Sequence, residues 1–135
     1  MPRFLVVDDS AAMRAYVRAA LEEDEGEVEV VEAASGFDAL RLLPRGRFDL
    51  VITDINMPDI NGLELIRFVR ESEHHRGVAV MIISTQSSER DTERGLALGA
   101  NGFLPKPFTP ERLRQAVAES LAASSGGAST PSGRR

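Results

Sequence analysis

The sequence predicts a single α/β domain in which five helices cover both faces of a five-stranded parallel sheet. Strand-like apolar runs and amphipathic helical patterns alternate along the whole chain. The runs at 4–7, 50–53 and 78–83 are apolar almost throughout, which is typical of strands buried on both faces. A length of 135 residues suits one domain with one core.

Boundary signals in the first half of the chain agree with this pattern. Ser10 is expected to cap the first helix, whose inward face carries Val17 and Leu21. The half-alternating run at 28–31 suits an edge strand. Ser35-Gly36 opens a short second helix that Pro44 stops.

The second half continues the alternation. Leu65, Ile66 and Val69 form the apolar stripe of a third helix. A fourth helix is predicted from about residue 88 to 98, and because its first half has little to bury, we expect it to be the least stable. After a last short strand at 101–104, Thr109-Pro110-Glu111 is a strong helix start.

Composition bounds the architecture and the function. Residues 1–121 are predicted to form the folded domain, and residues 122–135 a flexible Ala/Ser/Gly/Pro tail or linker. A net charge of -5 disfavours direct nucleic-acid or anionic-membrane binding, and the absence of cysteine excludes thiol chemistry. The longest apolar run, 78–83, is too short to span a bilayer, and no signal-peptide core is present. We therefore expect a soluble cytoplasmic protein.

Polar residues follow the predicted strands where each strand ends: Asp8-Asp9, Asp54, Ser84-Thr85 and Lys106. The carboxyl ends of parallel strands meet at one edge of the sheet, where ligands bind. Three carboxylates there raise one another's pKa, and a hard cation such as Mg2+ offsets the repulsion. With a lysine and a hydroxyl opposite, the group suits phosphoryl transfer onto a carboxylate.

These residues resemble the receiver domain of two-component response regulators, most closely the single-domain chemotaxis (CheY-like) type. The resemblance covers residues 3–121 and rests on segments in the family's order: Val7-Asp8-Asp9-Ser10 with Arg14, Asp54-Ile55-Asn56-Met57-Pro58, Asn61-Gly62, Ser84, Gly99-Ala100 and Lys106-Pro107-Phe108. It implies a doubly wound, flavodoxin-like sheet with strand order 2-1-3-4-5.

The resemblance also implies roles at the site. Asp54 would accept a phosphoryl group from a histidine kinase and help to bind Mg2+. Asp9 would ligate the ion directly, Asp8 through water, and the backbone carbonyl of Asn56 would be a further ligand. Lys106 would pair with the phosphoryl oxygens, and the Lys106-Pro107 peptide is expected to be cis.

A switch would follow phosphorylation. Ser84, with Thr85 as a competing hydroxyl, would hydrogen-bond the phosphoryl group, and Phe103 would swing inward to reshape the face of the fourth helix, fifth strand and fifth helix. Many chemotaxis receivers carry tyrosine at the position of Phe103, so the output partner is not carried over. Asn56 and Gln86 occupy positions that tune dephosphorylation in the family.

Other readings of the same residues stay open. The chain is expected to act as a regulator rather than an enzyme, although it would self-catalyse phosphotransfer and dephosphorylation at Asp54, and a separate protein would read its state. Alternatively, it is a phosphate sink, or a receiver cut from a larger regulator. A haloacid-dehalogenase-like phosphatase would need an aspartate where this chain has Asn56, and a flavodoxin would not place two aspartates in its first loop. A phosphorylation-independent interaction module would tolerate Asp54→Ala. His74-His75, Asp49, Asp59, Arg90 and Arg94 are read as solvated surface.

Overall fold

The computed structural model describes residues 2–23, 27–84 and 89–128. Within these ranges strands and helices alternate as predicted, and none of the helices is long and apolar enough to cross a membrane. The elements are β1 (Arg3–Val7), α1 (Ala11–Glu22), β2 (Glu29–Ala33), α2 (Gly36–Leu42), a 3-10 turn (Leu43–Arg45), β3 (Leu50–Asp54), α3 (Gly62–Glu71), β4 (Ala79–Ser84), α4 (Glu89–Leu98), β5 (Gly102–Pro105) and α5 (Pro110–Ala128).

The five strands form one parallel sheet in the order β2-β1-β3-β4-β5, which confirms the predicted fold class and the edge position of β2. The register pairs Val7 of β1 with Thr53 of β3, Asp54 with Ile83 of β4, and Ser84 with Pro105 of β5. The carboxyl ends of these strands are therefore level. Any side chain at the end of one strand lies near those of its neighbours.

Alternating side chains divide the core into two layers. Val6 and Ile52 belong to a buried cluster with Leu113 and other apolar residues of α1 and α5. Leu5 and Val51 point to the opposite face and pack with the apolar stripes of α2 and α3. Because both faces are covered, the strands contain almost no solvent-facing polar residues.

Side-chain caps fix the helix starts. The hydroxyl of Ser10 accepts a hydrogen bond from the Met13 N–H at 3.1 Å, and Ser35 caps α2 in the same way. Thr109 caps α5. Asn61 and Glu64 form a reciprocal capping box at the start of α3. These caps confirm the helix starts predicted at Ser10, Ser35 and Thr109.

The last helix is longer than predicted. α5 continues through Ala128, beyond the predicted domain end at residue 121, and the division into a folded domain and a flexible tail or linker stays a prediction. Alanines following Leu121 are strong helix formers, and the Ser124 hydroxyl donates a hydrogen bond to the Gly77 carbonyl at 3.3 Å. Residues 129–135, as well as Thr85 and Gln86, lie outside the described residues.

Arg70 of α3 joins the loop that precedes β4 to the loop that precedes β5. Its guanidinium donates to the Gly99 carbonyl at 2.6 and 3.0 Å, to the carbonyls of Val78 at 2.6 Å and Arg76 at 2.8 Å, and to Asn101 Oδ1 at 2.8 Å. Gly99 has a φ of 115°, a conformation that favours glycine. The side chain thus satisfies several carbonyl groups that the strands leave unpaired.

We expect Arg70→Met to lower the free energy of unfolding by about 2 to 3 kcal/mol, because part-buried acceptors lose a charged donor. Urea denaturation of the two proteins measures the difference. Arg67→Met is the matched control on the same helix: Arg67 forms an exposed pair with Glu71 at 3.4 Å, and its loss should cost less than about 0.5 kcal/mol. Equal effects of the two substitutions would contradict the role given to Arg70.

Candidate functional site

Three carboxylates converge at the carboxyl edge of the sheet. Asp8 directly follows β1 and Asp54 ends β3, and the two residues are 1% and 7% exposed, whereas Asp9 faces solvent. One carboxylate oxygen from each of the three lies within 4.8 Å of the others. The strand register therefore builds the acidic group that the sequence predicts.

Lys106 supplies the opposing charge. It follows β5, and its Nζ lies 3.3 Å from Asp8 Oδ2 and 3.6 Å from Asp54 Oδ2, with only 10% of its side chain exposed. The Lys106 N–H donates to the Ser84 carbonyl at 2.7 Å, and the peptide to Pro107 is cis, as the resemblance implied. A buried ammonium between two buried carboxylates offsets part of their repulsion.

The environment of Asp54 favours the neutral form of its carboxyl group. Burial is the main cause of a raised pKa at Asp54; the Lys106 ammonium lowers that pKa, and the Asp8 carboxylate raises it further. The backbone N–H groups of Asn56 and Ile55 also stabilise the anion. Neither satisfies Oδ1, which is buried and accepts no hydrogen bond from the part of the chain that the structure describes.

The acidic loop after β1 is held by one hydrogen bond to the Asp8 carboxylate and one to the Asp8 backbone carbonyl. Asp8 Oδ1 accepts the Ser10 N–H at 2.9 Å. Arg14 donates to the Asp8 carbonyl at 2.5 Å and to Glu32 of β2 at 2.9 Å. Arg14 therefore orients the loop through its backbone rather than contacting the carboxylates.

The loop between β3 and α3 is fixed against α2. A Cβ on Gly62 would lie 2.3 Å from the Asp54 carbonyl oxygen, so only glycine fits. The Asp59 carboxylate accepts the N–H groups of Phe37 at 2.9 Å and Gly36 at 3.2 Å, and the hydrogen bond from Phe37 is the main cause of a lowered pKa at Asp59. The sequence did not predict this contact, because Asp59 is 22 residues from Phe37 and 23 residues from Gly36.

The remaining predicted site residues lie around this centre. Ser84 is buried at the end of β4, one residue beyond the partner of Asp54. Asn56 lies in the exposed loop after Asp54. Phe103 of β5 is half-buried and packs against the α2–α3 core layer. The structure brings Asp8, Asp9, Asp54 and Lys106 together and leaves the roles of these other three as predictions.

The donor set fits a hard divalent cation. Three carboxylates with one unsatisfied buried oxygen offer the ligand chemistry that Mg2+ prefers. Among the described residues no second group of three acidic, histidine or cysteine ligands is found, so His74-His75 is not part of a metal cluster there. The fold and this pocket together define a class of protein: doubly wound α/β domains with an acidic pocket, able to hold a cation, beyond the ends of β1 and β3.

Comparison with known proteins identifies the family. The sequence profile described as "Response regulator receiver domain" matches residues 4–118. The chain is 34% identical over 125 residues to the chemotaxis protein CheY homolog of Campylobacter jejuni, covering 92% of this chain and 95% of that protein. It is 33% identical over 115 residues to the chemotaxis protein CheY of Pseudomonas aeruginosa, covering 85% and 92%.

A solved structure agrees. The chemotaxis response regulator CheY4 of Vibrio cholerae superposes with a TM-score of 0.82 at 35% identity, covering 89% of this chain and 98% of that one. The chain belongs to the response regulator receiver domain family. Within that family it is CheY-like, a phosphorylation-dependent signalling switch of the kind that interacts with histidine kinases and downstream targets. The resemblance stated from the motifs is confirmed.

The raised pKa of Asp54 predicts the pH dependence of stability. The folded protein holds the Asp54 proton more tightly than the unfolded chain does. The contribution of this carboxyl to stability is therefore present below its ordinary pKa of 3.8 and lost as the pH rises through the folded value. We expect Asp54→Asn, unfolded by urea in EDTA, to be more stable than wild type at neutral pH, with the gain shrinking on acidification.

Asp59→Asn is the control, because its effect on stability at neutral pH should be opposite in sign to that of Asp54→Asn. Backbone N–H groups lower the pKa of Asp59, so this substitution should cost stability at neutral pH, and the loss should vanish on acidification. A gain at Asp54→Asn that does not change with pH would contradict the electrostatic account of the site.

Proposed function

We propose that this chain accepts a phosphoryl group from a histidine kinase on Asp54, with Mg2+ bound beside it, and that phosphorylation changes partner binding on the face formed by α4, β5 and α5. The observation that carries the proposal is the buried Oδ1 of Asp54, which lies between an acidic pair and the Lys106 ammonium and accepts no hydrogen bond from the described residues. Burial of such a carboxylate costs free energy, and a bound cation together with a covalent bond to the phosphoryl group would offset that cost.

The metal would be held by oxygen ligands of this chain. Asp9 and Asp54 would ligate Mg2+ directly, Asp8 through water, and the Asn56 backbone carbonyl would complete the protein's contribution. When bound, the ion supplies positive charge that offsets the negative charge on the phosphoryl oxygens. The proximity of the three carboxylates supports this assignment.

The chain's own residues would then perform the transfer. An oxygen of the Asp54 carboxylate attacks phosphorus; the new P–O bond forms as the P–N bond to the kinase histidine breaks, and its electron pair stays on the imidazole nitrogen. Lys106, 3.6 Å from Asp54 Oδ2, pairs with the phosphoryl oxygens. Water later attacks the phosphorus of the acyl phosphate; the bond from the Asp54 oxygen to phosphorus breaks, its electron pair stays on the carboxylate, and inorganic phosphate leaves. The domain would thus self-catalyse both steps and act as a regulator.

Signalling would require a second arrangement of the same fold. The Ser84 hydroxyl, at the end of β4 beside β3, hydrogen-bonds the phosphoryl group and draws its loop inward. Phe103, one strand further on and only half-buried, moves into the space that opens. Reversing a two-state population from 1:99 to 99:1 takes about 5.5 kcal/mol. Hydrogen bonds to charged groups contribute about 1.5–3 kcal/mol each, so about two to four are enough.

Asn56, two residues after Asp54, argues against the phosphatase alternative. A hydrolase with an aspartate nucleophile needs an acid-base group two residues further on, and Asn56 has no titratable proton. The site is therefore suited to accepting and holding a phosphoryl group, and the reader of that state is a separate downstream protein or another response regulator. A phosphate sink would use the same site without a downstream reader.

Intact mass spectrometry tests the proposal. After incubation with acetyl phosphate and Mg2+, wild-type protein should gain a single phosphoryl adduct, and EDTA should abolish it. Asp54→Asn should gain none, because an amide oxygen is a poor nucleophile. Asp59→Asn, an exposed acid in the same loop, is the matched control and should still be phosphorylated.

An adduct that persists in Asp54→Asn would contradict the assignment of the acceptor. Absence of an adduct with acetyl phosphate calls for a second donor, a phosphorylated histidine kinase mixture. If wild-type protein remains unmodified by both donors, the receiver chemistry is contradicted, and a phosphorylation-independent interaction module is the better account.

A further inference from the structure

Tyr16 connects α1 to the loop that carries Lys106. Its hydroxyl donates a hydrogen bond to the Phe108 carbonyl at 2.7 Å, across 92 residues of sequence. The two rings also lie in contact, with centroids 5.7 Å apart at an angle of 43°. Tyr16 is 38% exposed, so its ring covers Phe108 without being part of the core itself.

The contact closes one end of a short loop. Phe108 is two residues beyond Lys106 and one before Thr109, the cap of α5. At the other end, the Lys106 N–H donates to the Ser84 carbonyl at 2.7 Å. The loop is therefore restrained on both sides, by β4 before the lysine side chain and by α1 after it.

The position of the lysine is sensitive to this restraint. Its Nζ lies between two carboxylates, 3.3 Å from Asp8 Oδ2 and 3.6 Å from Asp54 Oδ2. A shift of the loop redistributes the ammonium between them, because the attraction depends on distance and both carboxylates are buried. Displacement of a reacting or stabilising group by about 1 Å can cost up to about 100-fold in rate.

α1 reaches both charged loops of the site. Its first turn is capped by Ser10, which directly follows Asp8-Asp9, and its middle carries Tyr16. One rigid helix thus sets the distance between the acidic loop and the lysine loop. Ser10 connects α1 to the acidic loop, and Tyr16 connects the same helix to the lysine loop.

We propose that Tyr16 is a positioning residue for phosphoryl transfer, which holds the Lys106–Phe108 loop so that the lysine ammonium faces Asp54. The inference rests on the proposed function and adds a residue to it. Tyr16 acts only through Lys106, and it has no contact with the carboxylates that bind the metal.

The test compares two kinds of binding in Tyr16→Phe, which removes the hydroxyl and keeps the ring. Affinity for Mg2+ alone should be unchanged, since the carboxylates hold the ion. Affinity for beryllofluoride in the presence of Mg2+, and the rate of phosphorylation by acetyl phosphate, should each fall by about 3- to 10-fold, the worth of one hydrogen bond. Phe68→Leu, at a phenylalanine 41% exposed on α3, is the matched control and should change neither.

A double-mutant cycle identifies the route of the effect. In a Lys106→Ala background, Tyr16→Phe should cause no further loss of phosphorylation rate, because the residue it positions is gone. An equal loss in both backgrounds would overturn the inference, and so would a parallel loss of Mg2+ affinity, which indicates a general loosening of the site. Thermal unfolding checks that each variant is folded.

The two proposals fail in different ways. If wild-type protein is phosphorylated and Tyr16→Phe matches it in rate and beryllofluoride affinity, only the positioning role is overturned. If wild-type protein takes no phosphoryl group from either donor, the proposed function is overturned and the positioning role with it.

Discussion

The attraction between the Lys106 ammonium and the buried carboxylates of Asp8 and Asp54 is the interaction on which the site depends. Burial raises the pKa of Asp54, and the neighbouring Asp8 carboxylate raises it further. Desolvation and the repulsion between the carboxylates therefore both oppose the charged form of Asp54. The lysine offsets part of that cost at 3.3 and 3.6 Å. The lysine does not offset the whole cost, because one buried oxygen of Asp54 accepts no hydrogen bond from the described residues. A bound cation and a phosphoryl group would offset the remaining electrostatic cost.

The fold supplies the precision that this balance needs. Parallel pairing levels the ends of β1, β3 and β4, and contacts outside the sheet then hold each loop: Arg14 on the Asp8 carbonyl, Gly62 against the Asp54 carbonyl, and Tyr16 on the Phe108 carbonyl. All three act on the backbone and do not contact the charged side chains of the site. A site built in this way keeps its geometry while its ligands come and go.

The features that were predictable from the sequence are those with a local pattern, and contacts between residues far apart in the chain were not predictable. Periodicity and caps are local, so the element order, the buried strands and the caps at Ser10 and Thr109 were predictable. The convergence of Asp8, Asp54 and Lys106 followed from the rule that parallel strands end together. The contacts of Asp59, Arg70 and Tyr16 join residues far apart in sequence and leave no local pattern. The continuation of α5 through Ala128 was not predicted, because the Ala/Ser/Gly/Pro composition after residue 121 indicates a linker, whereas alanine by itself favours helix.

A crystal structure of the protein with Mg2+ and beryllofluoride would show whether Asp54 is the phosphoryl acceptor and whether Asp9 is a metal ligand. The account predicts an ion at about 2.0–2.1 Å from carboxylate oxygens of Asp9 and Asp54 and from the Asn56 carbonyl. It also predicts beryllium bonded to an Asp54 oxygen, with the Lys106 ammonium on a fluorine atom. An ion bound away from these carboxylates, or beryllofluoride on another residue, would contradict it.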